Sequence, residues 1–317
     1  MNRTRTATRA PEPGHLTGQP ARERLLAAMP LTEHRRDLAG VSTAVLEGGD
    51  GPPVVLLHGI GQSATAWVRV VPELVTDHQL IVPDLPGQGA SVVQDGEPPA
   101  ADRVLEWLAA LIEATCPAPP VLVGHNLGGA VAARFAAGRG ELIAGLVLAD
   151  AFGLGPFRPE PRFALAVAAF QLRATERTRD RMLGRCVADL DAVRRDLGGH
   201  WDDIADYALD RARTPSVRAA GRTLMKEFAL PVLPDAELDR IGVPTTLVWG
   251  RQDPETRLRF AERAAGRHGW PLHVIDDCGA DPDLEHPQAL VAALGTALPT
   301  RPDRRPPGSP AGREARP

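Results

Sequence analysis

Apolar and polar residues follow one another along this chain in two rhythms. Short runs that are apolar at nearly every position recur at Val54-Val55-Leu56-Leu57, Gln79-Leu80-Ile81-Val82, Val121-Leu122-Val123, Leu146-Val147-Leu148 and Thr245–Trp249, with a weaker copy at Leu272–Ile275. Runs of this length with no polar face are the pattern of strands buried on both sides. Val41–Leu46 alternates moderately and ends at the turn Gly48-Gly49-Asp50-Gly51, so it reads as a further strand. Helical periodicity fills the gaps at Val104–Thr115, Gly128–Ala137, Leu258–Arg267 and Pro287–Leu298. Strands alternating with helices predict an α/β fold, a mainly parallel sheet with helices on both faces.

Residues 155–236 break the alternation. They carry helical periodicity and charge but no convincing strand, and Pro156, Pro159, Pro161, Pro215 and Pro231 divide them into about four helices. The economical expectation is a helical cap, inserted over the strand ends where open α/β sheets bind their ligands. The core is then residues 23–154 and 237–298. Residues 1–22 and 299–317, rich in Arg, Pro and Gly and poor in apolar residues, are expected to be disordered tails.

Composition narrows the function classes. The chain has 317 residues, a formal charge of −4 and 43% hydrophobic residues. One large α/β domain or two small ones fit that length. The near-neutral balance argues against a general nucleic-acid or membrane-surface binder. The 3 cysteines, Cys116, Cys186 and Cys278, are far apart. No disulfide framework or zinc spacing is visible, and a cytoplasmic setting fits best. The N-terminal basic residues are followed by no apolar h-region, and no apolar run is long enough to span a bilayer. No phosphate loop or clustered metal-ligand spacing appears, so no cofactor and no metal are expected. The expected partner is a small-molecule substrate or ligand, with no nucleic acid and no membrane; a homodimer is compatible with the sequence.

Three loops follow three of the apolar runs: His58-Gly59-Ile60-Gly61, Asp84-Leu85-Pro86-Gly87-Gln88-Gly89, and Gly124-His125-Asn126-Leu127-Gly128-Gly129, the last opening a helix. Trp249-Gly250-Arg251-Gln252-Asp253 follows a late strand. Together these resemble the α/β-hydrolase superfamily, in its capped, epoxide hydrolase- or esterase-like form, over roughly residues 35–298. That family carries a G-x-S-x-G elbow and the chain order nucleophile, acid, histidine. The resemblance places the acid at Asp253. It places the nucleophile at Asn126. The histidine loop aligns with Cys278-Gly279-Ala280-Asp281-Pro282-Asp283-Leu284-Glu285-His286-Pro287, which puts Ala280 where the histidine belongs.

Two triad positions are thus replaced. An amide supplies no ionisable nucleophile and alanine shuttles no proton. The resemblance still implies an oxyanion hole from the Ile60 and Leu127 backbone N–H groups. Asn126 and Asp253 are the candidate catalytic residues. Ile60, Leu127, His58, Trp201 and Tyr207 are the candidate oxyanion and substrate contacts. His58 also reads as a loop-holding residue. His125 precedes the elbow, where side chains point away from the pocket. Asp281 is a weaker acid candidate, His286 a remote rescue base, and His200, Asp202 and Asp203 fit a solvated helix face. Three readings stay open. One is a non-hydrolytic enzyme (cyclase, lyase, isomerase or decarboxylase) acting on a small carbonyl compound of secondary-metabolite type. Another is a non-catalytic binding pseudo-hydrolase. The third is a serine hydrolase inactivated by substitution of Ser and His, with Asn126 and Ala280 either native or engineered.

Overall fold

The computed structural model describes residues 18–300. A nine-stranded sheet runs in the order β1-β2-β4-β3-β6-β7-β8-β9, with β5 beside β2. The strands are β1 (Thr32–Leu38), β2 (Val41–Gly48), β3 (Pro53–Leu57), β4 (Gln79–Pro83), β5 (Val92–Val93), β6 (Val121–His125), β7 (Gly145–Ala149), β8 (Thr245–Gly250) and β9 (Leu272–Ile275). β1, β2 and β5 pair antiparallel; from β4 to β9 the ladder is parallel. The central strands β3, β6, β7 and β8 are buried at every position. Their largely apolar runs have two faces to fill, and helices Ala101–Thr115 and Asn126–Arg139 cover one of them. Helix Pro287–Gly295 packs on the other.

Both edges of the sheet are wetter. β9 is only half buried. β1 carries Glu33, His34, Arg35, Arg36 and Asp37 and is mostly exposed. Charge along an edge discourages pairing with a second chain, and it also hides the strand from a hydrophobic pattern.

The N-terminal boundary falls earlier than expected. Helix Gln19–Ala27 begins inside the stretch read as a tail. Arg22 is 2% exposed and donates to Glu33 at 3.0 Å, so this turn is anchored by a partly buried ion pair. The rest of both expected tails, residues 1–17 and 301–317, lies outside the described residues.

Between β7 and β8 the described chain holds helices and no strand: Pro161–Leu172, Glu176–Cys186, Leu190–Leu197, Gly199–Arg213 and Pro215–Leu224, a π turn at Met225–Ala229, and a last turn at Asp235–Leu238. Pro161 and Pro215 sit in first turns, where a missing N–H costs nothing. Among the described residues no helix is long and apolar enough to cross a membrane.

Candidate active site

The turn from β6 into helix Asn126–Arg139 organises the site. Asn126 stands at its apex with φ +52°, a left-handed conformation that Asn tolerates better than most residues. Glycines let the turn close. A Cβ on Gly124 would lie 2.5 Å from the Gly128 carbonyl oxygen, and one on Gly128 would lie 2.5 Å from that of Leu57. The Gly128 N–H donates to the His58 carbonyl at 3.2 Å, tying the elbow to the loop after β3.

Asn126 is held at both ends of its amide. Its Oδ1 accepts from the backbone N–H of Leu127 at 2.9 Å and of Ile60 at 3.3 Å. Its Nδ2 donates to Glu255 Oε2 at 3.1 Å. Donors face the oxygen and a carboxyl faces the nitrogen, so the partners define the amide's orientation. The two backbone amides expected to await a ligand's oxygen therefore hold the side-chain oxygen of Asn126. This corrects the picture of a hole open to a ligand.

Asp253 needs a larger correction. It is absent from the cavity wall. Its Oδ1 accepts from the Glu255 N–H at 2.7 Å and the Thr256 N–H at 3.0 Å, and its Oδ2 takes the Thr256 hydroxyl. Asp253 thus caps its own loop. Burial lifts its carboxyl to about 6. Behind it, burial and the Asp253 charge hold the buried Asp150 carboxyl well above the usual range. Two residues along, Glu255 does reach the cavity. Burial, followed by repulsion from Asp253 and Asp281, pushes its carboxyl up to about 8. Nothing in residue spacing marked Glu255; only the folded loop shows that Asp253 turns away and Glu255 turns in.

His58 is likewise off the cavity wall. Its Nδ1–H donates to the Gly59 carbonyl at 2.8 Å, and its Nε2 accepts from the Leu85 N–H at 3.0 Å. Both nitrogens are engaged, and burial lowers its pKa. It joins two loops and does not meet the ligand space, which corrects its assignment as a substrate contact. Leu127 contributes only its engaged N–H; its side chain is buried in the core. Ile60, Trp201 and Tyr207 do line the cavity. The Tyr207 hydroxyl is buried, with no hydrogen-bond partner among the described residues, and burial raises its pKa.

The histidine loop is equally altered. Ala280 is buried, and its N–H donates to the Cys186 carbonyl at 2.9 Å. The next residue, Asp281, lines the cavity and accepts from Gln62 Nε2 at 2.9 Å. Burial and the Asp283 charge raise its carboxyl to about 7. Gln62 was not anticipated; its Oε1 accepts from the Gly59 N–H at 2.8 Å. His125 also borders the cavity instead of pointing away from it, and its Nε2–H donates to the Ala280 carbonyl at 2.7 Å. His286 sits outside the cavity wall, bonded to the Asp277 carbonyl at 2.9 Å. His200 and Asp202 are exposed, and Asp203 pairs with Arg24 at 2.6 Å.

The resulting cavity is about 600 Å³. Its walls are mostly apolar, with Phe152, Phe157, Phe163, Phe170, Met182 and Trp201 among them. Its floor is polar: Asn126, Glu255, Gln62 and Asp281. Such a chamber suits a small, largely apolar molecule oriented by one polar end.

A mainly parallel sheet, a glycine-framed elbow and a helical segment over the strand ends define an α/β-hydrolase-type protein. The sequence profile of the Alpha/beta hydrolase family matches residues 54–294, and the chain belongs to that family. It is 31% identical over 269 residues to the pimeloyl-[acyl-carrier protein] methyl ester esterase of Aeromonas hydrophila, covering 80% of this chain and 98% of that one. It is 28% identical over 277 residues to the 2-hydroxy-6-oxo-6-(2'-aminophenyl)hexa-2,4-dienoic acid hydrolase of Metapseudomonas resinovorans, covering 83% and 90%. Among solved structures, naproxen esterase from Bacillus subtilis superposes with a TM-score of 0.77 at 17% identity, covering 90% and 99%. The relatives are named as esterases and hydrolases, which supports an enzyme of hydrolase type.

Proposed function

We propose that this chain is an enzyme that activates the carbonyl of a small, largely apolar compound and moves a proton through Glu255, with no covalent intermediate. Cyclisation, elimination, isomerisation and decarboxylation all belong to this class. The observation that carries the reading is the amide of Asn126, which lies between two backbone donors and a carboxyl raised to about 8. A neutral amide oxygen is an ordinary acceptor. An oxygen gaining charge in a transition state makes bonds roughly twice as strong. Exchanging Asn126 Oδ1 for a ground-state carbonyl is therefore nearly even, about 1 kcal/mol per bond lost and regained. Exchange for an enolate favours the transition state, and only that difference accelerates a reaction. Glu255 keeps its proton at neutral pH and can donate it to the developing oxyanion while water takes the proton that leaves the neighbouring carbon, or while CO2 departs; it takes a proton back as product leaves.

A second reading is favoured by the names of the relatives: ester hydrolysis by a water molecule activated directly at Glu255 or Asp281. One experiment separates the two. The protein is incubated with panels of enolisable ketones, β-keto acids and esters in deuterated and in ¹⁸O-labelled water. The proposal expects deuterium at the carbon beside the carbonyl, no ¹⁸O in a product acid, and loss of exchange in Glu255→Gln. Release of alcohol with ¹⁸O in the acid, abolished by the same substitution, would establish the second reading. Labelling of Asn126 by a serine-directed phosphonate would overturn both.

A further inference from the structure

Beside the elbow lies a second group of residues that the acid–base reading does not use. His125 Nδ1 is 3.8 Å from Asp283 Oδ1, and one ligand atom each from His125, Asp281 and Asp283 lie within 4.8 Å of one another. Asp283 is 1% exposed, yet among the described residues neither of its oxygens has a hydrogen-bond partner. A buried carboxylate without donors is costly. The nearby guanidinium of Arg69 is turned to the Leu284 carbonyl instead.

The tautomer of His125 sharpens the point. The Ala280 carbonyl can only accept, so Nε2 carries the proton in the 2.7 Å bond between them. Nδ1 then faces the Gln62 Oε1 at 3.2 Å as well as Asp283. Gln62 cannot turn over, because the same Oε1 accepts from Gly59 and its Nε2 donates to Asp281. Lone pairs of His125 Nδ1, Gln62 Oε1 and the Asp283 carboxylate therefore face one another beside Asp281, and a bound cation would satisfy them. A histidine whose far N–H is fixed by a backbone carbonyl is also the usual arrangement behind a metal ligand.

We propose that His125 Nδ1, Asp281 and Asp283 form a binding site for one divalent transition-metal ion at the cavity's edge. Two carboxylates and a neutral imidazole balance the ion's charge. One nitrogen and two oxygens suit Mn²⁺, Fe²⁺ or Zn²⁺ better than Ca²⁺. Ligand bonds of about 2.0–2.2 Å place adjacent ligand atoms about 3–3.6 Å apart and opposite ones up to about 4.4 Å, so the 3.8 Å between His125 Nδ1 and Asp283 Oδ1 has to shorten as the side chains turn in on an ion. His125 and Asp281 line the cavity, which provides an entry path and leaves the ion's remaining positions toward the ligand space. There it would act as a Lewis acid on a carbonyl. The site stands independently of the role of Glu255. Its ligands are 156 and 2 residues apart in sequence, which is why no spacing reveals it.

The test uses the full chain, stripped with a chelator at mildly alkaline pH and titrated with Mn²⁺, with free ion read by electron paramagnetic resonance. One Mn²⁺ per chain is expected, displaced by Zn²⁺. Asp283→Asn and Asp281→Asn should each weaken binding at least about tenfold, the scale on which even outer partners of a metal act. Circular dichroism checks that the variants fold. No saturable uptake by the wild type would overturn the proposal. Undiminished uptake by both folded variants would overturn it too. Anomalous scattering from Mn²⁺-soaked wild-type crystals needs no variant: a peak among the three side chains supports the site, and a peak elsewhere or none refutes it.

Discussion

Replacing Glu255 by Gln should change how stability depends on pH. The folded chain holds the Glu255 proton up to about pH 8, whereas an unperturbed glutamate gives it up near 4.5. Between those values the folded state binds more protons than the unfolded one. Raising the pH through this window therefore works against folding. A carboxyl displaced this far corresponds to at most about 5 kcal/mol, and water in the cavity beside Glu255 reduces that to a few kcal/mol. The glutamine of Glu255→Gln would be neutral at every pH, and its side-chain oxygen can still accept from Asn126 Nδ2. Urea unfolding followed by tryptophan fluorescence, at pH 5 and pH 8.5, measures the effect. Both proteins should be of similar stability at the lower pH. At the higher pH the variant should be more stable by about 2–5 kcal/mol. Asp281 and Glu285, also raised to about 7, contribute slope to both proteins and largely cancel in the difference. Parallel pH profiles would show that Glu255 titrates normally and would remove the acid from the proposed chemistry.

Gly128→Ala forces a Cβ to within 2.5 Å of the Leu57 carbonyl, and a thermal melt should show a loss of about 1–3 kcal/mol or more. An unchanged Tm would mean that the elbow does not pack as described. Trp201→Ala removes an aromatic wall from the cavity and should weaken binding of an apolar fluorescent probe by roughly tenfold or more, about 1.5–3 kcal/mol of lost burial; equal affinity would place the ligand elsewhere. Asn126→Ser combined with Ala280→His restores two triad identities but not the third, since Asp253 stays bound within its own loop. An activated-ester assay should therefore show far less turnover than an intact triad supports, and robust esterase activity would mean that Asp253 swings out readily.

The sheet was legible because its strands obey one physical rule. β3, β6, β7 and β8 have two covered faces and so are apolar through their middles, with polar residues only at ends such as Thr245, Thr246 and His125, and each stood out as a short apolar run. β1 follows the opposite rule. It lies on the edge, one side is wet, and Arg36 is held by Glu47 across the ladder at 2.7 Å; a hydrophobic scan passes over it. Helix Gln19–Ala27 was missed for a related reason, because Arg22 looks like a tail residue until Glu33 and Asp84 are placed around it. The elbow was legible through its glycines, whose need is set by backbone contacts only a few residues away or by the neighbouring strand.

The polar floor was much less legible. Aligning loops by motif assumes that each position keeps its direction, but direction depends on what the neighbours bond. At the acid loop, the Thr256 hydroxyl and two backbone N–H groups draw Asp253 inward, and Glu255 takes the cavity-facing place. At the histidine loop, Ala280 packs under Cys186 while Asp281 faces the cavity. Each loop keeps its fold and offers a carboxyl from an adjacent residue. The elbow amide then completes the set by filling the two backbone donors itself. A triad whose members had simply been lost would leave unpaired donors and open space at these points. Here the elbow amide, both backbone donors and the Glu255 carboxyl engage one another, and the acids cluster around Asn126 and His125. That organisation supports a function seated at this floor, with Glu255 and Asp281, not Asp253, as the residues to vary first.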